Sequence, residues 1–265
     1  MHVLVLLRMV PDVVEELEIA PEGNALDLDA LRMILSESDD HALEQALLVK
    51  ERHGGKVTVL APDAPEVDDA LFTALAKGAD RAVKITGLDA SLTARGLGDA
   101  CRQVLASTPG LMPADLILTG AQAFSDLDAV IAPLLAYHLG LPHVGIVSHV
   151  SVNPAANSIT VLREYAGGVR AEFEVPLPGV IGIQSAEKPP RYVPVAKVRA
   201  AMKSQKIETA GVPVMADGGE ALIQVTGMLK PEAAGHAEMI EGSPEEVAGR
   251  ICDILAARGL LQEVQ

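Results

Sequence analysis

The strongest constraint on this chain is an alternation along its first two-thirds. Short apolar runs at residues 3–7, 56–62, 81–85 and 114–120 are each followed by a segment with helical spacing. Continuous apolar runs of this length fit strands buried on both faces. In residues 38–55, Ala42, Leu43, Ala46, Leu47 and Lys50 recur at helical spacing, acids crowd the start, and Gly54-Gly55 ends the pattern. A second helix is expected within 65–80, stopping at Gly78; a third over 89–107, with Leu92, Leu97, Cys101 and Val104 inward; a fourth over 127–139. Strands alternating with helices predict an α/β fold with a doubly wound, mostly parallel sheet.

The pattern changes after Pro142. "VGIVSHVSV", "SITVLREYA" and "VRAEFEV" alternate like antiparallel strands, with turns at Asn153-Pro154 and Gly167-Gly168. "GVIGIQ" (179–184) reads as a buried strand returning to the sheet. Six Lys/Arg then fall between Lys188 and Lys206 in a proline-rich stretch, which reads as a linker or a docking arm. The expected organisation is an α/β domain over 1–184 and a C-terminal arm over 185–265. The arm ends in a helix that Ser243, Pro244 and Glu246 start with a capping box and Gly259 stops. Its stripe of Val247, Ile251, Ile254 and Leu255 must pack on this domain or on another subunit.

Composition narrows the function. Of the 265 residues 49% are hydrophobic but only 2% aromatic, so the core is aliphatic. A net charge of −15 argues against nucleic-acid binding; it aids solubility, or docking to basic partner surfaces. Cys101 and Cys252 form no CxxC pair, so no metal site or disulfide framework is expected; buried thiols in a reducing cytoplasm are. No apolar run approaches the ~18 residues of a membrane span, and the opening "MHVLVLLRMVPD" reads as a strand rather than an export signal.

No constellation for nucleophilic, metal-dependent or phosphate-loop chemistry is present, and the seven histidines are scattered. Asp39 and Asp40 fit a helix start better than a general base. In a doubly wound sheet, ligands bind beyond the carboxyl ends of strands. That places the loop "TGAQAFSD" in a binding position. Small residues at Gly120, Ala121 and Ala123 admit close approach, and Ser125 can donate to a phosphate or ribose. A helix beginning near 127 would aim its N–H groups at the loop, while Asp126 and Asp128 would repel a phosphate. A capped turn and a ligand pocket both remain open on these residues.

Several segments together carry a resemblance. "VLVLLRMVPD", "DDHALEQALLVKE", "ALAKGADRAV", "DLILTGAQAFSD", "LREYAGG" with "LPGVIGI", and "PPRYVPVAKVRAAMKSQKI" resemble, in order and spacing, the β subunit of electron transfer flavoproteins. Lys77 stands where that family usually has Met. The resemblance implies a Rossmann-like, adenine-nucleotide-binding fold that pairs with an α subunit carrying most of a redox FAD. It implies a carrier without a substrate of its own, moving electrons from dehydrogenases to a quinone reductase or another acceptor. The β subunit would itself bury AMP, or a second FAD in electron-bifurcating members. A stand-alone adenine-nucleotide sensor is the alternative.

By the same resemblance, nucleotide contacts map to Leu6, to Ser36, Glu37, Ser38 and Asp39, and to Pro62. They map further to Gly120, Ala121, Gln122, Ala123, Phe124 and Ser125, and to Asp126, Leu127, Asp128, Ala129, Val130 and Ile131. No catalytic residue and no metal ligand are implied. The chain departs from the family here. Ser36, Glu37 and Ser38 replace Asn-Pro-Phe, Val130, Ile131 and Ala132 replace Gln-Thr-Gly or Gln-Val-Gly, and Pro62 lacks an N–H donor. AMP, FAD and an empty pocket stay open. Arg191, Tyr192 and Val195 map to the partner-docking loop, with Val195 at the place of a leucine anchor; the lost methylene is worth about 0.8 kcal/mol of burial. Arg191 and Tyr192 either dock a partner or brace the arm.

Overall fold

A computed structural model describes residues 1–28, 31–88, 93–213, 224–231 and 237–261. Its contacts divide the chain into Met1–Gly227 and Met228–Gln265. Within the first unit, β1 (His2–Leu6), β4 (Lys56–Pro62), β5 (Arg81–Thr86), β6 (Leu116–Gly120) and β10 (Gly179–Ile183) form the parallel centre of a sheet. The full strand order is β11-β5-β4-β1-β6-β10-β7-β8-β9, where β7 is His143–Asn153, β8 Ser158–Glu164, β9 Arg170–Pro176 and β11 Ile207–Gly211. Seven strands run parallel from β11 to β7, and β7, β8 and β9 finish as an antiparallel meander. The expected doubly wound fold is present, with β10 inserted between β6 and β7.

Both faces of the central strands are covered, which is why they read as unbroken apolar runs. Val3, Val5 and Leu7 pack with Leu43 and Leu47 of α1 (Glu37–His53) and Leu71 of α2 (Val67–Lys77). Leu4 and Leu6 face the other way, toward Cys101 and Val104 of α3 (Ala94–Ser107) and Ile131 and Leu135 of α4 (Ile131–Leu139). After β1 the chain builds outward through β4 and β5, then returns to the far side of β1 with β6. The gap between the carboxyl ends of β1 and β6 is therefore the topological switch point of the sheet.

Three features differ from the sequence expectation. The helix expected from 127 begins at Ile131, because Ala129 takes a positive φ of 52° and Asp126 turns inward. The helix expected over 89–107 begins at Ala94, capped by the Thr93 hydroxyl on the Gly96 N–H; Leu92 lies outside the described residues. Contacts divide the chain at Gly227 rather than at 184, because 185–211 is not a detached arm. Its α5 (Val195–Ser204) packs on α2, and β11 hydrogen-bonds in parallel to β5. Two strands too short for a sequence signal, β2 (Met9–Pro11) and β3 (Met33–Leu35), pair as a small antiparallel ribbon.

In the second unit, α6 (Pro244–Ala257) starts with the capping box read from the sequence: the Ser243 hydroxyl accepts from the Glu246 N–H, and the Glu246 carboxylate accepts from the Ser243 N–H at 2.8 Å. Gly259 ends it at φ 66°. None of its residues is buried. Among the described residues no helix is long and apolar enough to cross a membrane.

The two cysteines differ, against the expectation that both are buried. Cys101 is buried on the inner face of α3, and desolvation pushes its thiol up to about 12, while Cys252 is exposed on α6. A thiol reagent at pH 8 is expected to titrate one thiol per native chain and two in guanidinium. Two fast thiols in the native protein would contradict the burial of Cys101.

Candidate functional site at the sheet switch point

Arg8 lies two residues past the end of β1 and fills the switch point. Its guanidinium lies against Asp39 in the first turn of α1, with Nε and Nη2 each donating at 2.9 Å. Asp39 is fully buried and also accepts from the Arg8 N–H at 3.0 Å and the Gly120 N–H at 2.7 Å. Arg8 Nη1 pairs with Asp126, and Nη2 reaches the Gly120 carbonyl at 3.4 Å. One buried cation thus joins the ends of β1 and β6, the start of α1 and the loop before α4. Desolvation opposes the Arg8 charge most strongly, but the attractions of Asp39 and Asp126 together hold the guanidinium above its usual value. Burial pushes Asp126 up, Arg8 pulls against this, and Asp39 and Asp128 repel its charge.

The rest of the loop is tied down by the chain itself. The Ser38 hydroxyl donates to the Gln122 carbonyl at 2.7 Å, and the Gln122 amide donates to the Asp126 carbonyl at 2.7 Å. Gly120 is glycine for packing: a β-carbon there would sit 2.5 Å from the Asp39 carboxylate and inside the Ser38 hydroxyl. Its missing side chain is matched by α1, where the sequence suggested room for a ligand.

The other expected nucleotide contacts divide by environment. Leu6 and Ile131 are core residues, and Ser36 is buried as the N-terminal flank of α1. Pro62 ends β4, half-buried. Glu37, Gln122, Phe124, Ser125 and Leu127 are exposed, and Ala123 is buried. Ala121 and Ala129 line a cavity of about 530 Å³ between the start of α4 and the β7–β9 meander; Asp128 and Val130, their neighbours in sequence, are half-buried and do not line it. Asp40 belongs elsewhere: it pairs with the nearly buried Lys77, tying the start of α1 to the end of α2. Among the described residues no cluster could hold a metal ion.

Sequence reasoning missed Arg8. Its signal was present: a lone cation straight after a fully apolar strand has to find a carboxylate or leave the sheet end. The partners were not readable, since the chain offers 36 acids and the two that meet Arg8 lie far from it in sequence.

The segment after β10 is braced on α1. Arg191 donates to the almost buried Glu44 through Nε at 2.9 Å and Nη2 at 2.8 Å, and to Glu51 at 2.5 Å. Glu187 accepts from Arg52 at 2.8 and 2.6 Å and from Gln45 at 3.3 Å. Tyr192 and Val195 point outward, 82% and 59% exposed. Of the three expected docking residues, Arg191 is committed to α1 and the other two present free surface.

Two outcomes follow from these geometries. Asp39→Ala strands a buried guanidinium and the Gly120 N–H, so urea unfolding should show a loss of about 3–5 kcal/mol. Asp126→Asn should cost far less, since burial already disfavours that charge; equal losses would show that the cluster is not centred on Asp39. Hydrogen bonds from Arg52 and Arg191 hold Glu187 and Glu51 below the ordinary carboxylate range. Their contribution is present above pH ~4.3 and is lost as pH falls through the lowered values. Hydrogen exchange across 186–192, corrected for intrinsic rates, should accelerate below about pH 4, and Glu187→Gln should blunt the response.

Comparison with known proteins accords with this architecture. The family described as electron transfer flavoprotein domain matches residues 25–215. The chain is 30% identical to the electron transfer flavoprotein subunit beta of Methylophilus methylotrophus over 267 residues, covering 96% of this chain and 98% of that protein. It is 31% identical to the corresponding subunit of Clostridium acetobutylicum over 79% of each chain. It is 32% identical to Protein FixA of Azorhizobium caulinodans, covering 78% of this chain and 74% of that one. The chain belongs to the electron transfer flavoprotein family and is a β-subunit-like member of it.

Proposed function

We propose that this chain is the β half of a cytoplasmic two-chain electron carrier. It pairs with an α subunit that holds a redox FAD, and it buries an adenine nucleotide, AMP or a second FAD, beside the carboxyl end of its own sheet. The observation that carries the reading is likeness along 96% of the chain to a protein named as such a subunit. A flavin, when bound, supplies the electron chemistry. The chain's own residues supply a fixed frame: Arg8 and Asp39 lock the sheet end, and Arg191 and Glu44 hold the 185–191 segment rigid on α1.

Outward-facing Tyr192 and Val195 support a docking role for that segment toward donor dehydrogenases or an acceptor such as a quinone reductase, since exposed aromatics are favoured at interfaces. The free thiols of Cys101 and Cys252 fit a reducing compartment. The nucleotide fits the cavity beside Ala121 and Ala129 better than the switch point, whose hydrogen-bonding groups are already paired with one another. The relatives give the stand-alone sensor no support.

The chain co-expressed with its α partner should copurify as a heterodimer. Denaturing release followed by chromatography should yield FAD and AMP in equal amounts for a simple carrier, or two FAD for a bifurcating one. Recovery of a nucleotide-free monomer that ignores the α chain would overturn the proposal.

A further inference from the structure

The face of α1 turned toward the 185–191 segment is polar where a packed helix is usually apolar. Glu44 is nearly buried and Gln45 fully so, with His41 one turn before them and Glu51 and Arg52 two turns after. Residues at this spacing share one helix face. Three of them fix the backbone beside them. The Ala186 N–H donates to His41 Nδ1 at 3.1 Å, the Glu187 N–H to Gln45 Oε1 at 3.2 Å and the Arg191 N–H to Glu44 Oε2 at 3.0 Å. Pro189 and Pro190 lie between, each with a fixed φ and no N–H of its own. A stretch that forms neither helix nor strand therefore takes its path from the side chains of one helix.

Stability does not call for this arrangement. A buried carboxylate and a buried amide are costly, and apolar groups of the same volume often hold a packed segment equally well. Directional bonds to three N–H groups add a single register. That register decides how the next residues are shown. Arg191 is held by Glu44 and Glu51, Val193 packs on the aliphatic core, and Tyr192 stands exposed between them. The Pro194 carbonyl then accepts from the N–H groups of Lys197 and Val198 as α5 begins, with Val195 exposed at its start. Each outward residue is bracketed by fixed ones.

We propose that His41, Glu44 and Gln45 of α1 are positioning residues for partner docking. They preset Tyr192 and Val195 in the geometry that an electron-donating partner meets, and so set how readily that partner associates, acting through the 186–191 backbone rather than by contact. The inference rests on the docking reading above and adds the residues that govern it. A preset segment carries no further ordering cost into the complex, whereas a released one does. The cost falls on association alone. Electron transfer within the formed complex, and the flavin held on the α subunit, are left as they were.

The test uses the heterodimer with its α partner and a donor dehydrogenase that reduces the wild-type carrier. Gln45→Met, the double variant Glu44→Leu/Arg191→Met, and Tyr192→Ala are compared with the wild type. The first two remove the bonds to 187 and 191 while keeping volume, and exchange of a buried ion pair for apolar groups commonly preserves folding. Both should raise the apparent KM for the carrier roughly two- to tenfold at unchanged kcat and FAD content. Both should also speed hydrogen exchange at 186–192 and nowhere else. Should the double variant fail to assemble, Gln45→Met carries the same comparison. Faster exchange with an unchanged KM overturns the positioning role and leaves a brace for stability only. Unchanged exchange overturns the idea that α1 fixes the segment. A fall in kcat or FAD content overturns it too, as general damage to the fold. Tyr192→Ala should raise KM without altering exchange at 186–191; an unchanged KM there overturns the docking reading itself.

Discussion

The buried pair of Arg8 and Asp39 is the interaction on which the rest of this structure depends. A charge at a sheet end is costly unless it is paired and fully hydrogen-bonded, and Asp39 meets that condition with four donors, three from Arg8 and one from Gly120 of β6. The pair therefore acts as a rivet. It fixes α1 on the sheet, it requires glycine at 120, and it draws Asp126 inward, so that α4 cannot begin before Ile131.

That displacement shapes the functional surface. In a doubly wound sheet the switch point is the default ligand crevice, but here it is closed by the protein's own groups. The open space lies one strand-pair away, between α4 and the meander, where glycine and alanine leave the floor bare. Two regions of the loop after β6 thus have different tasks: Gly120 and Asp126 hold the scaffold together, and Ala121 and Ala129 border the cavity.

The 185–211 segment shows the same division. Its basic residues read as a linker or a docking arm, and ion pairs to Glu44, Glu51 and Arg52 fasten its beginning to α1 while β11 fastens its end to β5. Fixing both ends leaves Tyr192 exposed on the connection and Val195 exposed at the start of α5. A rigid loop loses less conformational entropy on association than a free one. By contrast, α6 is complete as a helix, with both caps satisfied, and still buries nothing among the described residues.

The sequence by itself determined the elements whose physics is local. Apolar runs marked β1, β4, β5, β6 and β10, because strands covered on both faces carry no polar alternation. Ser243 and Glu246 marked the start of α6, because a capping box needs only residues three apart. Tertiary structure alone decided the rest. Arg8 chose Asp39 and Asp126 across the fold, β11 found the edge of β5, and Arg163 came to lie over the Tyr165 ring. None of these was legible in order along the chain, because a buried charge or an edge strand is satisfied by whatever group the fold brings within about 3 Å. Sequence fixes which groups exist; only packing decides which of them meet.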